Sequence, residues 1–399
     1  MDTTFPTPPA LTRVDDLLPL QDDLVAMRHH LHRHPELAFA EHQTSDYVAH
    51  LLAGWGYAVT RGIGGTGLVA VLRAGKGTRR LGLRADMDAL PIQEANNFSH
   101  ASTRPGLMHA CGHDGHTAML LGAAWRLAST RRFSGTLNLI FQPAEERGFD
   151  SGGKAMVDDG LFERFPCDRI YAMHNHPGAP QGDFMLREGP FMAAGDRVYI
   201  TVRGVGGHAA RPHLAVDPVV AASAIVLALQ TVVARNVDPA DKAVVTIGRL
   251  RSGDALNVIP SEAEIGLSVR SLDAKVRALL RKRITALVQG TAEAHGCSVE
   301  LRYIEGYPVV RNDPEAAQLA ARVAAELVGT EHVEPDFPRL MGSEDFAYML
   351  QACPGALVRI GNGPAEGGRG LHNARYDFHD GNLGVGAAFW CRLAESFLV

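Results

Sequence analysis

The sequence predicts an α/β protein: a mixed, largely parallel sheet flanked by helices, with a smaller α+β domain inserted into it. The chain has 399 residues, more than one hydrophobic core usually supports. Short β-like runs alternate with helical apolar spacing in its first part, as in sheets covered by helices on both faces. Between about residues 191 and 308 the order of elements changes, which indicates a separate unit.

The first part of the chain begins with a Pro/Thr-rich segment, residues 1–12, which we expect to be a loose tail. Helical spacing runs from 14 to 34, where Pro35 interrupts it, and a second helix is predicted over 44–52. The elements that follow are the strands YAVT, GLVAVLRAG and RLGLRAD, a helix over 116–127, strand TLNLIF, a short helix near 154–159 and strand RIYAMH.

The middle of the chain predicts a compact unit of its own. Its elements are strand RVYITVRG, a helix over 218–234, strands AVVTIGRL and AEIGLSVR, a helix over 275–295 and strand SVELRYI. This βαββαβ order is ferredoxin-like. The chain then returns with a helix over 314–327, strand ALVRIG and a helix over 384–397. We therefore predict a sheet domain formed by 1–190 and 309–399, with 191–308 inserted.

Composition and charge exclude several classes of protein. The formal net charge is −5 and the basic residues form no block, so we expect no nucleic-acid partner. The five cysteines are odd in number, widely spaced and without a CxxC pair, which argues for a reducing compartment. We find no signal peptide and no apolar run long enough to span a bilayer. The sequence therefore predicts a cytoplasmic protein without a membrane partner.

Three predicted strands end in pairs of side chains that can bind a metal. The pairs are Asp86 and Asp88, Glu145 and Glu146, and His174 and His176. In open parallel sheets, ligands bind at the carboxyl ends of the strands. We therefore expect the three pairs to meet at one edge of the sheet.

A fourth group, HACGHDGH over 109–116, stands just before a predicted helix. The thiol of Cys111 and the imidazole of His113 lie two residues apart among glycines that let the loop fold tightly, which suits half of a site for Zn²⁺ or a similar cation. Taken alone, a histidine-rich helix-capping loop explains the fragment about as well, because short motifs match by chance. The strand-end carboxylates favour the metal site.

The adjacent Glu145 and Glu146 suggest a division of labour. One carboxylate can bind a metal while the other acts as general base on a water whose pKa the cation lowers towards about 7. Taken alone, such a pair is more often a solvated helix start, where negative charge suits the helix dipole.

Seven motifs stand in a characteristic order along the chain: RADMDALPIQE, MHACGHDGHTAML, FQPAEE, GGHAARPH, NVIP, GSEDFAYM and LHNARYDFHD. In this order they resemble the aminoacylase/carboxypeptidase superfamily of co-catalytic metallopeptidases. The resemblance is nearest to the branch of hippurate hydrolase and the indole-acetyl-amino-acid hydrolases. It runs from about His32 to His379, and CGHDGH with the later PAEE and LHN is its most specific part.

The resemblance implies an amidohydrolase that cleaves small N-acyl-amino acids, with a metallocarboxypeptidase or dipeptidase acting on short peptides as the alternative. It implies two divalent cations per subunit, Mn²⁺ or Zn²⁺, with Ni²⁺ or Co²⁺ as further candidates. Cys111 would bridge the two metals and Glu145 would be the base. The remaining implied ligands are His113 and His174 on one metal, and Glu146 and His372 on the other.

The chain departs from many relatives at one point. They carry His-x-Asp at the strand end and an Asp bridge, whereas this chain has Asp86-x-Asp88 and the bridging Cys111. His113 would then supply the missing imidazole, which makes the exchange self-consistent. Asp88 would orient a ligand imidazole.

The inserted domain resembles the family's lid and dimerisation domain, which implies a homodimer or homotetramer. His208 would approach an active site, in relatives often that of the partner subunit, and stabilise the oxyanion. Its alternative is a turn histidine beside glycines.

Three further residues are substrate-site candidates. Asn257 and Arg270 would hold the substrate carboxylate, although Arg270 is as readily explained as a surface strand residue. Glu344 would line the pocket. The remaining histidines of the motifs are expected in supporting or structural positions: His109, His116 and His176.

Two glycine motifs raise a nucleotide-dependent oxidoreductase as another function. Residues 62–67 fit GxGxxG but lead into a strand, and residues 204–209 fit GxGxxA but lack the acidic residue expected about 20 positions later. Both are expected to be turns. A metal-binding protein without catalysis is disfavoured, because it needs no base such as Glu145.

Overall fold

The computed structural model describes residues 11–399, so the predicted tail lies outside the described residues except for its last two positions. The α-helices in this part of the chain are α1 Gln21–Arg33, α2 His42–Gly54, α3 His113–Thr130, α4 Gly152–Asp158, α5 Leu161–Arg164, α6 Pro218–Asn236, α7 Ala274–Ala294, α8 Pro314–Val328, α9 Phe346–Ala352 and α10 Asn382–Phe397. The strands are β1 Ala58–Ile63, β2 Gly67–Ala74, β3 Arg80–Asp86, β4 Gly135–Gln142, β5 Arg169–His176, β6 Phe184–Met185, β7 Gly189–Met192, β8 Ala194–Arg203, β9 Gly207–His208, β10 Ala243–Arg251, β11 Val258–Ile259, β12 Glu262–Ser271, β13 Ser298–Ile304, β14 Val310–Asn312, β15 Val333–Glu334 and β16 Gly355–Gly361.

Aspartates begin three of the long helices. The side chain of Asp217 accepts a hydrogen bond from Val219 N at the start of α6, and Asp273 and Asp313 cap α7 and α8 in the same way. Such caps satisfy backbone N–H groups that lack partners within the helix. A proline follows the cap in α6 and α8, where its missing N–H costs nothing.

The chain forms two compact units. Unit 1 consists of the described part of Met1–Gly189 together with Arg311–Pro338 and Asp345–Val399. Unit 2 consists of Pro190–Val310 and Arg339–Glu344.

One segment differs from the predicted division, which placed all of 309–399 in the sheet domain. The short run Arg339–Glu344 belongs to unit 2 because its backbone is bonded there. Leu340 N donates to Phe191 O at 2.9 Å, and Ala193 N donates to the carbonyl oxygens of Leu340 and Gly342.

Unit 1 contains an eight-stranded sheet with the order β1-β2-β4-β3-β5-β16-β6-β15. Its four central strands β4, β3, β5 and β16 are parallel to one another, whereas β1 with β2, β2 with β4 and β16 with β6 are antiparallel pairs. Strands β3 and β5 are buried along nearly their whole length, as expected when helices cover both faces. The predicted mixed, largely parallel sheet is confirmed.

Unit 2 contains an antiparallel sheet with the order β10-β12-β8-β13. Every second residue of β12 is buried, and these residues pack with apolar residues of α6 and α7 in one core. The element order is the predicted βαββαβ.

Among the described helices, α6 alone is long and apolar enough to cross a membrane by length and composition, whereas the sequence predicted no run of this kind. The feature is weak support for a span, because core helices of soluble proteins pass the same test. Ala221, Ile225 and Leu229 of α6 are buried within the unit 2 core.

Candidate metal centre

The three strand ends meet at one edge of the unit 1 sheet. Strands β4, β3 and β5 are adjacent and parallel, and Asp86 at the end of β3 is paired with Gln142 at the end of β4. The residues that follow or end these strands, Asp88, Glu145 and His174, are all buried. The edge therefore brings carboxylates and imidazoles together out of contact with most of the solvent.

A tight loop brings Cys111 into this group. Gly112 has φ +92°, and a Cβ atom there would lie 2.5 Å from both Asn175 Oδ1 and Tyr376 Oη, so the position requires glycine. The loop places Cys111 Sγ 3.4 Å from His174 Nε2. Donor atoms of Cys111, His113 and His174 all lie within 4.8 Å of one another.

The same thiol takes part in a second trio. Donor atoms of Cys111, Glu146 and His372 also lie within 4.8 Å of one another. His372 Nε2 is 3.1 Å from Glu146 Oε1. The backbone of His372 is left-handed, with φ +63°, and its N–H donates to Ala110 O at 2.7 Å. Cys111 is therefore shared by two sets of donors.

The donor geometry fits cations at these positions. His113 Nδ1 is held by the carbonyl oxygen of Asp88 at 2.9 Å and by Asp88 Oδ1 at 3.1 Å. Its Nε2 is buried without an aligned hydrogen-bond partner among residues 11–399, and the nearest carboxylate oxygen given for it, Asp86 Oδ2, is 3.7 Å away. An imidazole held at one nitrogen and open at the other is the usual arrangement of a metal ligand. Sulfur, nitrogen and oxygen donors together suit borderline divalent cations.

The charges of the group also favour a cation. Burial raises the pKa of the Cys111 thiol, and the Glu146 carboxylate raises it further. Hydrogen bonds to Cys111 and Glu146 raise the pKa of His372 to about 10. Burial alone would lower the pKa of His113, but Asp86 and its other neighbours hold it well above its ordinary value. A bound cation would replace these protons and stabilise the thiolate.

His174 is held in the neutral form that binds metals. Burial and the nearby Arg359 guanidinium keep the pKa of His174 well below its ordinary value. Its Nδ1 lies 2.7 Å from Asn175 O, so the ring is fixed at that side while Nε2 faces the Cys111 thiol.

Glu145 lies beside both trios without belonging to either. Its side chain is 7% exposed, and its carboxylate accepts a hydrogen bond from Asp345 N at 3.4 Å. One carboxylate oxygen lies within 4.8 Å of donor atoms of His113 and Glu146. Asp88 Oδ2 accepts a hydrogen bond from Glu146 N at 2.9 Å. Asp88 therefore contacts residues of both trios.

A buried network that the sequence did not predict lies next to the centre. Arg84 on β3 donates to Asp86 Oδ2 at 2.7 Å, to Gln142 Oε1 at 2.9 Å and to Asp345 Oδ1 at 3.0 Å. His116 Nδ1 is 2.6 Å from Asp86 Oδ1. An arginine inside the apolar strand LGLRAD was the available signal, because a buried guanidinium needs buried partners.

Two other histidines of the motifs lie around the centre. His109 is buried, its ring nitrogens have no hydrogen-bond partner within residues 11–399, and burial lowers its pKa to about 4. His176 packs edge-on against Phe337, with ring centroids 5.3 Å apart.

The predicted site residues of unit 2 fall into two pairs. His208 on β9 is paired with Val258 on β11, and Ala209 N donates to Asn257 O at 3.0 Å, so His208 and Asn257 lie close together. His208 Nδ1 accepts a hydrogen bond from Ala210 N, which leaves Nε2 as the N–H of the neutral ring.

The second pair surrounds Ser343. Arg270 is half-buried, and its Nη1 donates to Ser343 Oγ at 2.6 Å. The next residue, Glu344, is buried with an exposed fraction of 2%. Arg270 is therefore not a plain surface residue of its strand.

The first glycine motif, residues 62–67, forms the hairpin turn between β1 and β2, with Ile63 opposite Gly67. The second lies in the loop after β8 and contains the two-residue strand β9. Neither precedes a helix directly.

Residues 82–396 match the model of peptidase family M20/M25/M40. The chain belongs to this family. It is 43% identical to a hippurate hydrolase from Campylobacter jejuni, over 96% of this chain and 99% of that protein. It is 34% identical to thermostable carboxypeptidase 2 from Saccharolobus solfataricus, over 96% of this chain and 97% of that one.

A solved structure from Bacillus subtilis, described as a dinuclear metal binding peptidase of the M20 family, superimposes with a TM-score of 0.81. It is 31% identical and covers 95% of this chain and 99% of its own. The predicted resemblance is thus confirmed, and the chain is a metal-dependent hydrolase of amide carbon–nitrogen bonds.

A buried carboxyl group next to the centre has a raised pKa. Glu41 is fully buried, accepts hydrogen bonds from Thr66 Oγ1 and from Ala144 N at 2.8 Å, and so holds the turn before Glu145. Burial raises the pKa of Glu41 to about 7, with the charge of Asp88 adding to the effect.

We predict that this carboxyl stabilises the fold at acid pH. Its folded-state pKa lies above the ordinary value of 4.5, so the stabilisation is complete below pH 4.5 and lost as pH rises through 7. The loss is about 3 kcal/mol at about 1.4 kcal/mol per pKa unit. Urea unfolding of metal-free protein should show the parent losing stability relative to Glu41→Gln across this range. Exposed Glu163→Gln is the control; parallel curves for parent and Glu41→Gln would contradict the assignment.

Proposed function

We propose that this protein is an N-acyl-amino-acid amidohydrolase of the hippurate hydrolase type, with two divalent cations per subunit. The observation that carries the proposal is the thiol of Cys111, shared by two trios of donor atoms. In this proposal His113 and His174 hold one cation, and Glu146 and His372 hold the other. The 43% identity to a hippurate hydrolase supports the substrate class.

A carboxypeptidase or dipeptidase acting on short peptides is the second candidate. The 34% identity to a thermostable carboxypeptidase over 96% of the chain favours it. Both candidates break an amide bond beside a free carboxylate, so the same centre serves either substrate. The difference lies in the acyl group, an organic acid in one case and an amino acid in the other.

The cations, Mn²⁺ or Zn²⁺ with Co²⁺ and Ni²⁺ as alternatives, would polarise the amide carbonyl and lower the pKa of a water molecule. Glu145 would take a proton from the attacking water and deliver it to the leaving amine. Its burial beside His113 and Glu146 suits this role, since a base must lie within reach of the reacting atoms. Asp88 would orient His113 and fix the Glu146 backbone.

Unit 2 would supply substrate contacts. His208 Nε2–H is a donor for the developing oxyanion, and Nδ1 is already occupied by Ala210 N. Asn257 and Arg270 would bind the substrate carboxylate, and Glu344 would line the pocket. We propose a cytoplasmic homodimer or homotetramer assembled through unit 2, in which His208 serves the centre of the partner subunit.

Metal removal should abolish hydrolysis. We expect chelated protein to lose activity on N-benzoylglycine and to regain it with Mn²⁺, Zn²⁺, Co²⁺ or Ni²⁺. A panel of N-acyl amino acids and dipeptides, each assayed with every metal, separates the two candidates by kcat/KM. Higher values for dipeptides would favour the peptidase. Full activity in metal-free protein would exclude both.

Glu145→Gln should separate catalysis from metal binding. We expect both cations to be retained and kcat to fall on the order of 10³-fold, because the proton acceptor is lost while the ligands remain. The adjacent Glu146→Gln is the matched control and should lower the content of one cation. Near-normal turnover of Glu145→Gln would refute its role as base.

Mixed subunits test the placement of His208. Glu145→Gln and His208→Ala proteins should each be inactive, and we expect a refolded mixture to recover activity through hybrid dimers. The mixture of Glu145→Gln with Glu146→Gln is the control, since neither subunit then has an intact centre. Absence of rescue in the first mixture would place His208 in its own subunit's reaction.

A further inference from the structure

A buried guanidinium lies among three carboxylates of unit 1. The side chain of Arg28, on α1, is 0% exposed. Its Nη1 is 2.8 Å from Asp377 Oδ1 and 3.4 Å from Asp114 Oδ2. Its Nε is 2.7 Å from Asp380 Oδ1, as an ion pair rather than an aligned hydrogen bond. A guanidinium presents several donors in one plane, so it can contact three acceptors at once.

The carboxylates belong to the segments that carry proposed metal ligands. Asp114 directly follows His113 in the first turn of α3. Asp377 and Asp380 lie in the loop 371–381, which begins beside His372. Arg28 therefore joins α1 to both segments, although it touches no proposed ligand itself.

Two of the ligand imidazoles are held directly by other groups. His113 Nδ1 is bonded to Asp88, and His174 Nδ1 is bonded to Asn175 O. Their side chains are also buried. The orientation of these rings is thus determined by their own hydrogen bonds.

His372 is held differently. Its side chain is 54% exposed, and its ring contacts are with Cys111 and Glu146, which are themselves proposed ligands. Its position therefore depends on its backbone, which is anchored by the N–H bond to Ala110 O and by the loop that follows. Arg28 is the buried charge that contacts two carboxylates of that loop, Asp377 and Asp380, whereas other parts of the loop are held by bonds such as Ala95 N to Ala374 O.

We propose that Arg28 is a positioning residue for His372, and that it sets the affinity of the cation held by Cys111, Glu146 and His372. The inference rests on the proposed two-metal function. Removal of Arg28 would leave Asp377 and Asp380 without their common partner, and this end of the loop would lose its buried charged anchor while the contacts with His29 and His100 remain. The cation held by His113 and His174 would keep ligands that are fixed by other bonds.

Calorimetric titration of metal-free protein with Mn²⁺ tests this. We expect the parent to bind two cations, and Arg28→Met to bind one with parental affinity and the other about 10–100-fold more weakly. Arg28→Lys keeps the charge but not the planar fork, so it should recover part of the affinity. This readout needs no turnover.

Two further variants separate positioning from loss of stability. Leu24→Ala lies on the same helix at 1% exposure and removes apolar packing without touching the carboxylates, so it should destabilise the fold but bind both cations normally. The double variant Asp377→Asn, Asp380→Asn changes only partly exposed side chains and should reproduce the selective loss if Arg28→Met does not fold.

The outcomes distinguish this inference from the function on which it rests. A parent protein that binds a single cation would contradict the two-metal proposal, and the role of Arg28 with it. A parent that binds two, with Arg28→Met or the double aspartate variant binding both at parental affinity, would overturn the role of Arg28 alone. Equal weakening of both cations, or the same selective loss in Leu24→Ala, would also overturn it.

Discussion

The centre depends on one buried thiol placed between two groups of donors. Burial and Glu146 both raise the pKa of Cys111, so a thiolate there requires positive charge close by. When no cation does so, His113 and His372 supply that charge as protons: the pKa of His113 is held well above its ordinary value, and that of His372 is raised to about 10. Opposite charges close together offset the cost of burial, so carboxylates, imidazoles and a thiol can lie together where water is largely excluded.

Three residues with left-handed backbone conformations position these donor side chains. Ala144, Gly112 and His372 have φ values of +52°, +92° and +63°, and each begins or carries a proposed catalytic or ligand residue. For residues other than glycine such a conformation costs about 1–3 kcal/mol and persists only where the surroundings impose it. Glu41 holds Ala144 N, and Ala110 O holds His372 N. The strain at the centre is therefore offset by hydrogen bonds from outside it.

The sequence could predict the sheet, the inserted domain and the pairs at the strand ends, because apolar periodicity and strand direction are local properties. His372 could be assigned only through the family resemblance, since nothing local links it to Cys111. The supporting contacts were beyond prediction for the same reason: Arg28 and Asp377 are 349 positions apart, and Arg84 and Asp345 are 261 apart.

Helix α3 begins at His113 rather than at the predicted 116, because Gly112 starts it from a left-handed turn. Two-residue strands such as β6 and β9 show no periodicity at all.

The two trios differ in exposure, and this difference has a chemical consequence. The side chains of His113 and His174 are at most 4% exposed, whereas that of His372 is 54% exposed. Solvent, and any ligand arriving from solvent, therefore reaches the donors on the His372 side first. Arg84, Asp86 and their partners form buried ion pairs and hydrogen bonds on the His113 side, where Asp86 Oδ2 lies 3.7 Å from His113 Nε2. A rigid, charged network on one side and an exposed ligand on the other suit a centre that must hold its proposed ligands in place and still admit an amide to the proposed base, Glu145.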